Sequence, residues 1–157
     1  APQVCDGLNN DCNDPAWPSV VGTGDADADG DGVLVCDGDC DDVNGTVWAT
    51  PGEARQVRLS FDPVAGVTTL IWQVPATPGG LTLVYDTLRS KNATDFVQGA
   101  QCVEGNGTDL ISLDSGGILQ PGDLFYYLVR GENACPVGEG DLGSPTTGPP
   151  RTGKSCQ

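Results

Sequence analysis

The first 54 residues carry 12 acidic side chains and not one Lys or Arg. That imbalance constrains the segment more than any other feature of the chain. Carboxylates packed this densely repel one another unless cations lie among them. The segment has few apolar residues to offset the repulsion: Val33-Leu34-Val35 and a scatter of Leu8, Trp17, Val20, Val21, Val47 and Trp48. Its punctuation is that of loops, with Asp6-Gly7, Asp29-Gly30-Asp31-Gly32, Asp37-Gly38, Asn44-Gly45 and Pro51-Gly52. A stretch of this size does not fold on such a core alone and needs cross-links or metals.

The acids are spaced for a metal. In Asp25-Ala26-Asp27-Ala28-Asp29-Gly30-Asp31-Gly32, carboxylates alternate and then meet glycine. Such a loop wraps a hard cation that takes six to eight oxygens, and Gly30 permits the sharp turn. Counted from Asp25, the twelfth position is Cys36, where an EF-hand loop carries Glu, so the segment is not an EF-hand. The missing ligands are expected from the next run, which holds Asp37, Asp39, Asp41 and Asp42. A second, less charged loop offers Asp6, Asn9, Asp11, Asn13 and Asp14, and is expected to bind more weakly. Calcium fits these sites better than magnesium, which retains water and seldom accepts an all-protein cage. The abundance of carboxylates and the absence of His argue against zinc at Cys36 and Cys40.

On these residues the segment resembles the calcium-binding repeats of thrombospondin type 3 and of bacterial secreted proteins with Cys-Asp-Gly motifs. The matching stretches are Val4 to Cys12, Asp25 to Gly32, Gly38 to Asp42 and Pro51 to Ala54. The resemblance implies a chain wound around calcium ions with little regular secondary structure. It departs from the pattern at Asn13-Asp14, where an Asp-Gly pair is usual.

After residue 55 the pattern changes. The remaining residues contain 10 acids and 7 bases, and apolar residues alternate as in half-buried strands. Seven strands are expected. They lie at Val57/Leu59/Phe61, Leu70/Trp72/Val74, Leu81/Leu83/Tyr85/Thr87, Val97 to Cys102, Leu110 to Leu113, Phe125/Tyr127/Val129 and Asp141 to Thr147. Short strands separated by turn signals imply an antiparallel β-sandwich. The fold class is therefore all-β, with an irregular calcium-organised segment at 1–54 and a sandwich at 55–157 that ends in a Pro/Gly-rich tail. Residues 55–150 resemble a fibronectin type III-like domain through Leu70 to Pro75, Tyr85 to Arg89 and Leu119 to Arg130. The resemblance implies that Trp72 is a core residue and that a turn at Leu119-Gln120-Pro121-Gly122 leads into the penultimate strand. Phe125 stands where such domains place a corner Tyr.

Seven cysteines in a short chain indicate an oxidising compartment. The local pairs Cys5–Cys12 and Cys36–Cys40 are favoured, with cross-pairing between the loops as the alternative. Cys102 and Cys135 are expected to meet at one end of the sandwich, leaving Cys156 odd. The other pairing, Cys135 with Cys156, would leave Cys102 free. Three sequons, at Asn44, Asn92 and Asn106, mark expected glycosylation sites.

No catalytic set is visible. The chain has no His, and its Ser residues lack a Gly-x-Ser-x-Gly elbow. The remaining acids sit mostly beside turn residues, where solvation is the ordinary role. The acidic balance excludes nucleic acid as a partner, and no apolar stretch is long enough to span a bilayer. Ala1 is read as a mature terminus after signal cleavage. The expectation is a secreted, non-enzymatic structural or adhesive protein, a subunit of a calcium-stabilised, glycosylated surface filament. Its partners would be further copies, head to tail, or other surface proteins and glycans. The alternative is a carbohydrate- or cell-surface-binding module of a larger secreted protein.

Overall fold

The computed structural model describes residues 4–117, 122–136 and 139–156. The expected terminus at Ala1 and the Leu119-Gln120-Pro121 part of the expected turn lie outside the described residues. Residues 4–54 hold one short 3-10 helix, Val35–Asp37, and otherwise turns. Six strands follow: β1 (Arg55–Asp62), β2 (Val67–Gln73), β3 (Val84–Ser90), β4 (Ala100–Gly107), β5 (Ile111–Asp114) and β6 (Tyr126–Glu132). They form two antiparallel three-stranded sheets, ordered β1-β2-β5 and β4-β3-β6. The fold is all-β and antiparallel, as the alternation implies.

The period-2 pattern decides which side chains face the core. Leu70 and Trp72 from β2 meet Tyr85 from β3 and Val129 from β6, with Ala54 beside them. Trp72 and Tyr85 pack edge to face, ring centroids 5.4 Å apart. The opposite face of β3 is buried too. There Leu88 packs with Phe96, Ala100, Leu142 and Cys156. Residues Tyr85 to Ser90 are therefore buried on both faces of the strand.

Two expected strands begin later than their apolar residues suggest. Leu81 and Leu83 precede β3, because the Leu81 N–H donates to the Thr46 carbonyl of the acidic segment (2.9 Å). Val97 precedes β4, because the Asp95 carboxylate collects the N–H groups of Val97, Gln98 and Gly99 at 2.9–3.0 Å and folds that stretch into a turn.

The seventh strand does not form among the described residues. Residues 139–156 make only isolated bridges, Glu132 with Glu139 and Phe96 with Gly153. Pro145, Pro149 and Pro150 lack the N–H that a ladder needs. Leu142 and Cys156 instead draw the tail across the outer face of β3.

The favoured local disulfide pairs and the Cys102–Cys135 pair are corrected, whereas the cross-pairing alternative holds for Cys5 with Cys36. The bonds are Cys5–Cys36, Cys40–Cys135 and Cys102–Cys156, and Cys12 is free and exposed. Cys5 reaches Cys36 because the buried Asp25 carboxylate accepts the N–H groups of Asp6 (3.0 Å) and Gly7 (3.4 Å), while Cys36 N–H donates to Gly24 O (2.8 Å). Cys40 reaches Cys135 because residues 46–52 lie against the sandwich. Trp48 and Ala49 donate to Gly79 O, and the Asn133 side-chain amide donates to Ala49 O (2.8 Å) and Gly79 O (3.0 Å). The contact is close enough that a Cβ on Gly79 would lie 2.0 Å from Ala49 O. Cys156 is not odd: the tail carries it to Cys102 on β4.

Candidate metal centre

The acidic loop is built on one repeated device. An Asp or Asn side-chain oxygen accepts the N–H two residues on, which closes a small turn without help from a core. Asp29 Oδ1 accepts Asp31 N–H (3.2 Å), Asp31 Oδ1 accepts Val33 N–H (2.8 Å) and Asp39 Oδ1 accepts Asp41 N–H (3.0 Å). Each carboxylate uses one oxygen this way. The other oxygens, Oδ2 of Asp29, Asp31 and Asp39, are buried and have no hydrogen-bond partner.

Asp27 opens this loop. Its oxygens accept Gly30 N–H (2.7 Å) and Gly32 N–H (3.1 Å), bending the chain back over itself. Gly30 and Gly32 both have positive φ, 80° and 91°. Carboxylate oxygens of Asp27, Asp29 and Asp31 lie within 4.8 Å of one another. Asp39 arrives through the 3-10 turn, whose Gly38 cap has φ 100°. Asp42 fastens the two runs together by accepting Ala28 N–H (2.9 Å). Gly45 lies over the loop, where a Cβ would make ordinary contact with Asp29 O at 3.4 Å.

The carboxylates of the loop crowd one another. Burial raises the Asp29 carboxyl above its ordinary value. The Asp31 N–H opposes that rise, and the negative charges of Asp31, Asp39 and Asp27 add to it. Orphaned buried carboxylate oxygens beside three like charges fit a bound hard cation, and all-oxygen donors are what calcium takes. Asp27, Asp29, Asp31 and Asp39 would hold it, and the ion would supply the positive charge that lets the loop pack.

The remaining expected ligands fall in other places. Asp25 is 2% exposed and ties the first loop down through the backbone of Asp6 and Gly7. The carboxylates that gather in the loop are Asp27, Asp29 and Asp31, a set that starts two residues later than counting from Asp25 suggests. Cys5 and Cys36 lie beside Asp25 but are joined to each other, so neither offers a thiolate. In the first loop Asn9 is buried, and its amide donates to Asp14 Oδ2 (2.9 Å) and Ser19 O (2.8 Å). Asp11 Oδ1 accepts Asn13 N–H (3.0 Å) and Asp6 Oδ1 accepts Leu8 N–H (3.0 Å). Asp37 is exposed on the 3-10 turn, and Asp41 O accepts the N–H groups of Val43 and Asn44. These residues shape turns and are not gathered with the Asp27 to Asp39 set.

The sequons are at the surface or half-buried. Asn92 is exposed, and its Oδ1 accepts the N–H (3.0 Å) and hydroxyl (2.9 Å) of Thr94. Asn44, half-buried, accepts the Thr46 hydroxyl at 2.7 Å. Asn106 is exposed and left-handed, with φ 55°.

Two buried ion pairs were not anticipated. Arg89 Nη1 donates to both Asp114 oxygens (2.7 Å each), Tyr127 OH donates to Asp114 (2.8 Å), and the Arg89 guanidinium lies 4.5 Å from the centre of the Phe125 ring. Arg130, 1% exposed, meets Asp86, Glu132 and Glu139. The signal for Arg89 was present in the alternation Tyr85, Thr87, Arg89, which points all three side chains inward.

No protein-family model matches the chain, and no curated protein does. Solved structures that are similar to it include the following two. One is a Fn3-like protein from Clostridium thermocellum, 17% identical, covering 59% of this chain and 88% of its own, with a TM-score of 0.45. The other is a cytokine receptor complex, 22% identical, covering 56% of this chain and 46% of its own, with a TM-score of 0.40. Three disulfides fit an oxidising compartment. Among the described residues no helix is long and apolar enough to cross a membrane.

Proposed function

We propose that this chain is a non-enzymatic extracellular structural protein, a subunit of a calcium-stabilised surface filament, glycosylated at its sequons. The observation that carries the calcium part is the set of buried, unpartnered oxygens of Asp29, Asp31 and Asp39. Calcium among them would turn the acidic segment from a self-repelling chain into a stiff element. The stiff element would be fastened to the sandwich by Cys40–Cys135 and by the Gly79 contacts. Stiff, covalently closed units suit a role in bearing load and connecting surfaces. The acids and bases with defined surroundings serve as turn formers and buried pairs, which supports a non-catalytic reading.

The test is electron microscopy of the native protein in calcium beside a chelator-treated aliquot. Filaments that fray or shorten in chelator are expected. Dispersed single particles in both conditions would overturn the filament reading and turn attention to ligand binding.

A further inference from the structure

The sandwich is closed on one side and open on the other. β4 and β5 approach each other. On the opposite side the outer strands are β1 and β6, and the stretch expected as a seventh strand has left β6 to cross the outer face of β3. The effect is visible on β1. Leu59 lies opposite Leu70 in the register, so both side chains project from the core face of the sheet. Leu70 is fully buried, whereas Leu59 is 52% exposed. Phe61, two residues on and on the same face, is 60% exposed. Phe61, Phe125 and Tyr127 line a cleft of about 350 Å³. A sheet edge with core-type residues in water is a site for a further strand or segment.

The charge on this edge selects the occupant. Of the seven bases, Arg89 and Arg130 are buried in ion pairs and Lys91 meets Asp123. Arg151 and Lys154 belong to the tail. The remaining two, Arg55 and Arg58, both stand on β1, opposite Gln73 and Ile71 and so on the face away from Leu59 and Phe61, and Arg55 Nε donates to Val74 O (2.8 Å). The surface that complements them is in the same chain. Residues 4–54 carry 12 acids and no base, and they expose Trp17 (54%) and Val21 (80%). One copy therefore offers an apolar edge with cations, and another offers an acidic segment with exposed apolar side chains. The two surfaces are different parts of the chain, so their contact is heterologous and propagates into an open array when the rotation between copies does not close.

We infer that the β1 edge receives the acidic segment of a second copy of this chain, which straddles the strand, with Arg55 and Arg58 facing its carboxylates on the outer face and Trp17 entering beside Phe61 on the core face. The inference rests on the filament reading above and adds to it the surface at which copies meet.

Sedimentation of the full chain in calcium tests it. Arg58→Glu, Phe61→Ser and Trp17→Ala should each weaken association at least about tenfold, a loss of roughly 1.4 kcal/mol. Phe61 is largely exposed, so the fold should persist; a thermal melt checks this, and Arg58→Glu repeats the test through charge alone. A mixture of the receiving-face variant Arg58→Glu with the donor variant Trp17→Ala should form dimers that stop, because one intact pair of faces remains. Self-association of the wild type together with undiminished association of all three variants would overturn the inference while leaving the filament reading in place. A wild type that stays monomeric in calcium would overturn both.

Discussion

Arg130 Nη2 and Asp86 Oδ2 meet at 2.9 Å with both side chains 1% exposed. Around this pair the tail is pinned. Asp86 also accepts Cys156 N–H (2.9 Å), and Arg130 donates to Lys154 O (3.0 Å). The pair thus does for the tail what a strand ladder would otherwise do. It also crowds three carboxylates around one guanidinium, since Glu132 and Glu139 lie at 2.8 and 2.7 Å from Arg130.

Glu132 bears the cost of that crowding. Burial, then the charge of Asp86, raises its carboxyl above the ordinary value, and the Arg130 charge offsets this only in part. A carboxyl whose folded pKa is raised binds its proton more tightly in the native state. Its stabilising contribution is present at low pH and is lost as pH rises from the unfolded value through the folded one. Glu132→Gln removes that titration. Urea melts from pH 4 to pH 8 are expected to show the variant gaining on the wild type as pH rises; a gap independent of pH would contradict the assignment.

Asp114 runs the other way. Burial works against its charge, but the Gly116 N–H, the Tyr127 hydroxyl and Arg89 outweigh it, and the carboxyl lies below its ordinary value. Its contribution is present above the unfolded carboxylate value and is lost as pH falls through the depressed one. Arg89→Ala leaves the buried Asp114 charge without its counter-ion, which costs on the order of 3 kcal/mol. The expected readout is a lower urea midpoint and an acid limb of the stability curve shifted to higher pH.

Calcium should act on residues 20–45 first. At about a hundredfold excess over its dissociation constant, a bound ion contributes roughly 2.7 kcal/mol. Limited proteolysis is expected to cut within the acidic segment in chelator and to spare it in calcium. Asp29→Asn or Asp31→Asn should weaken calcium binding in titration calorimetry, while Asp37→Asn, exposed and outside the set, should not. Equal cleavage with and without calcium would refute the site.

Removing Cys40–Cys135 by the double Ser substitution should cost up to about 4 kcal/mol, because the bond closes a loop with a sequence separation of 95. The Gly79 contacts remain, so the segment should loosen without the sandwich unfolding. Hydrogen exchange is expected to quicken at Trp48 and Ala49, while Leu70 and Leu88 stay protected.

The sandwich was legible because alternation in β1, β2, β5 and β6 is a local property. Leu70, Trp72 and Val129 declare their faces without reference to distant residues. The start of β3 was not legible, since Leu81 pairs with Thr46, a partner 35 positions away that no local period encodes. The favoured local disulfide pairs failed for the same reason: proximity of Cys5 to Cys36, one of the cross-pairings left open, depends on Asp25 folding one loop on another. The acidic loop stood out by its Asp spacing, but the spacing does not say that the gathered carboxylates start at Asp27 and not at Asp25. Asp25 and Asp27 look alike in sequence and differ only in what surrounds them.

The Cys40–Cys135 bond also decides how the molecule would carry tension. A pull applied between the acidic loops and the tail passes across two sulfur atoms and bypasses the strands between residues 40 and 135. At about 3.5 Å per extended residue, that bond keeps on the order of 300 Å of chain out of the load path. Under strain the sandwich would act as unstretched slack held in reserve, released only by a reductant and not by force alone.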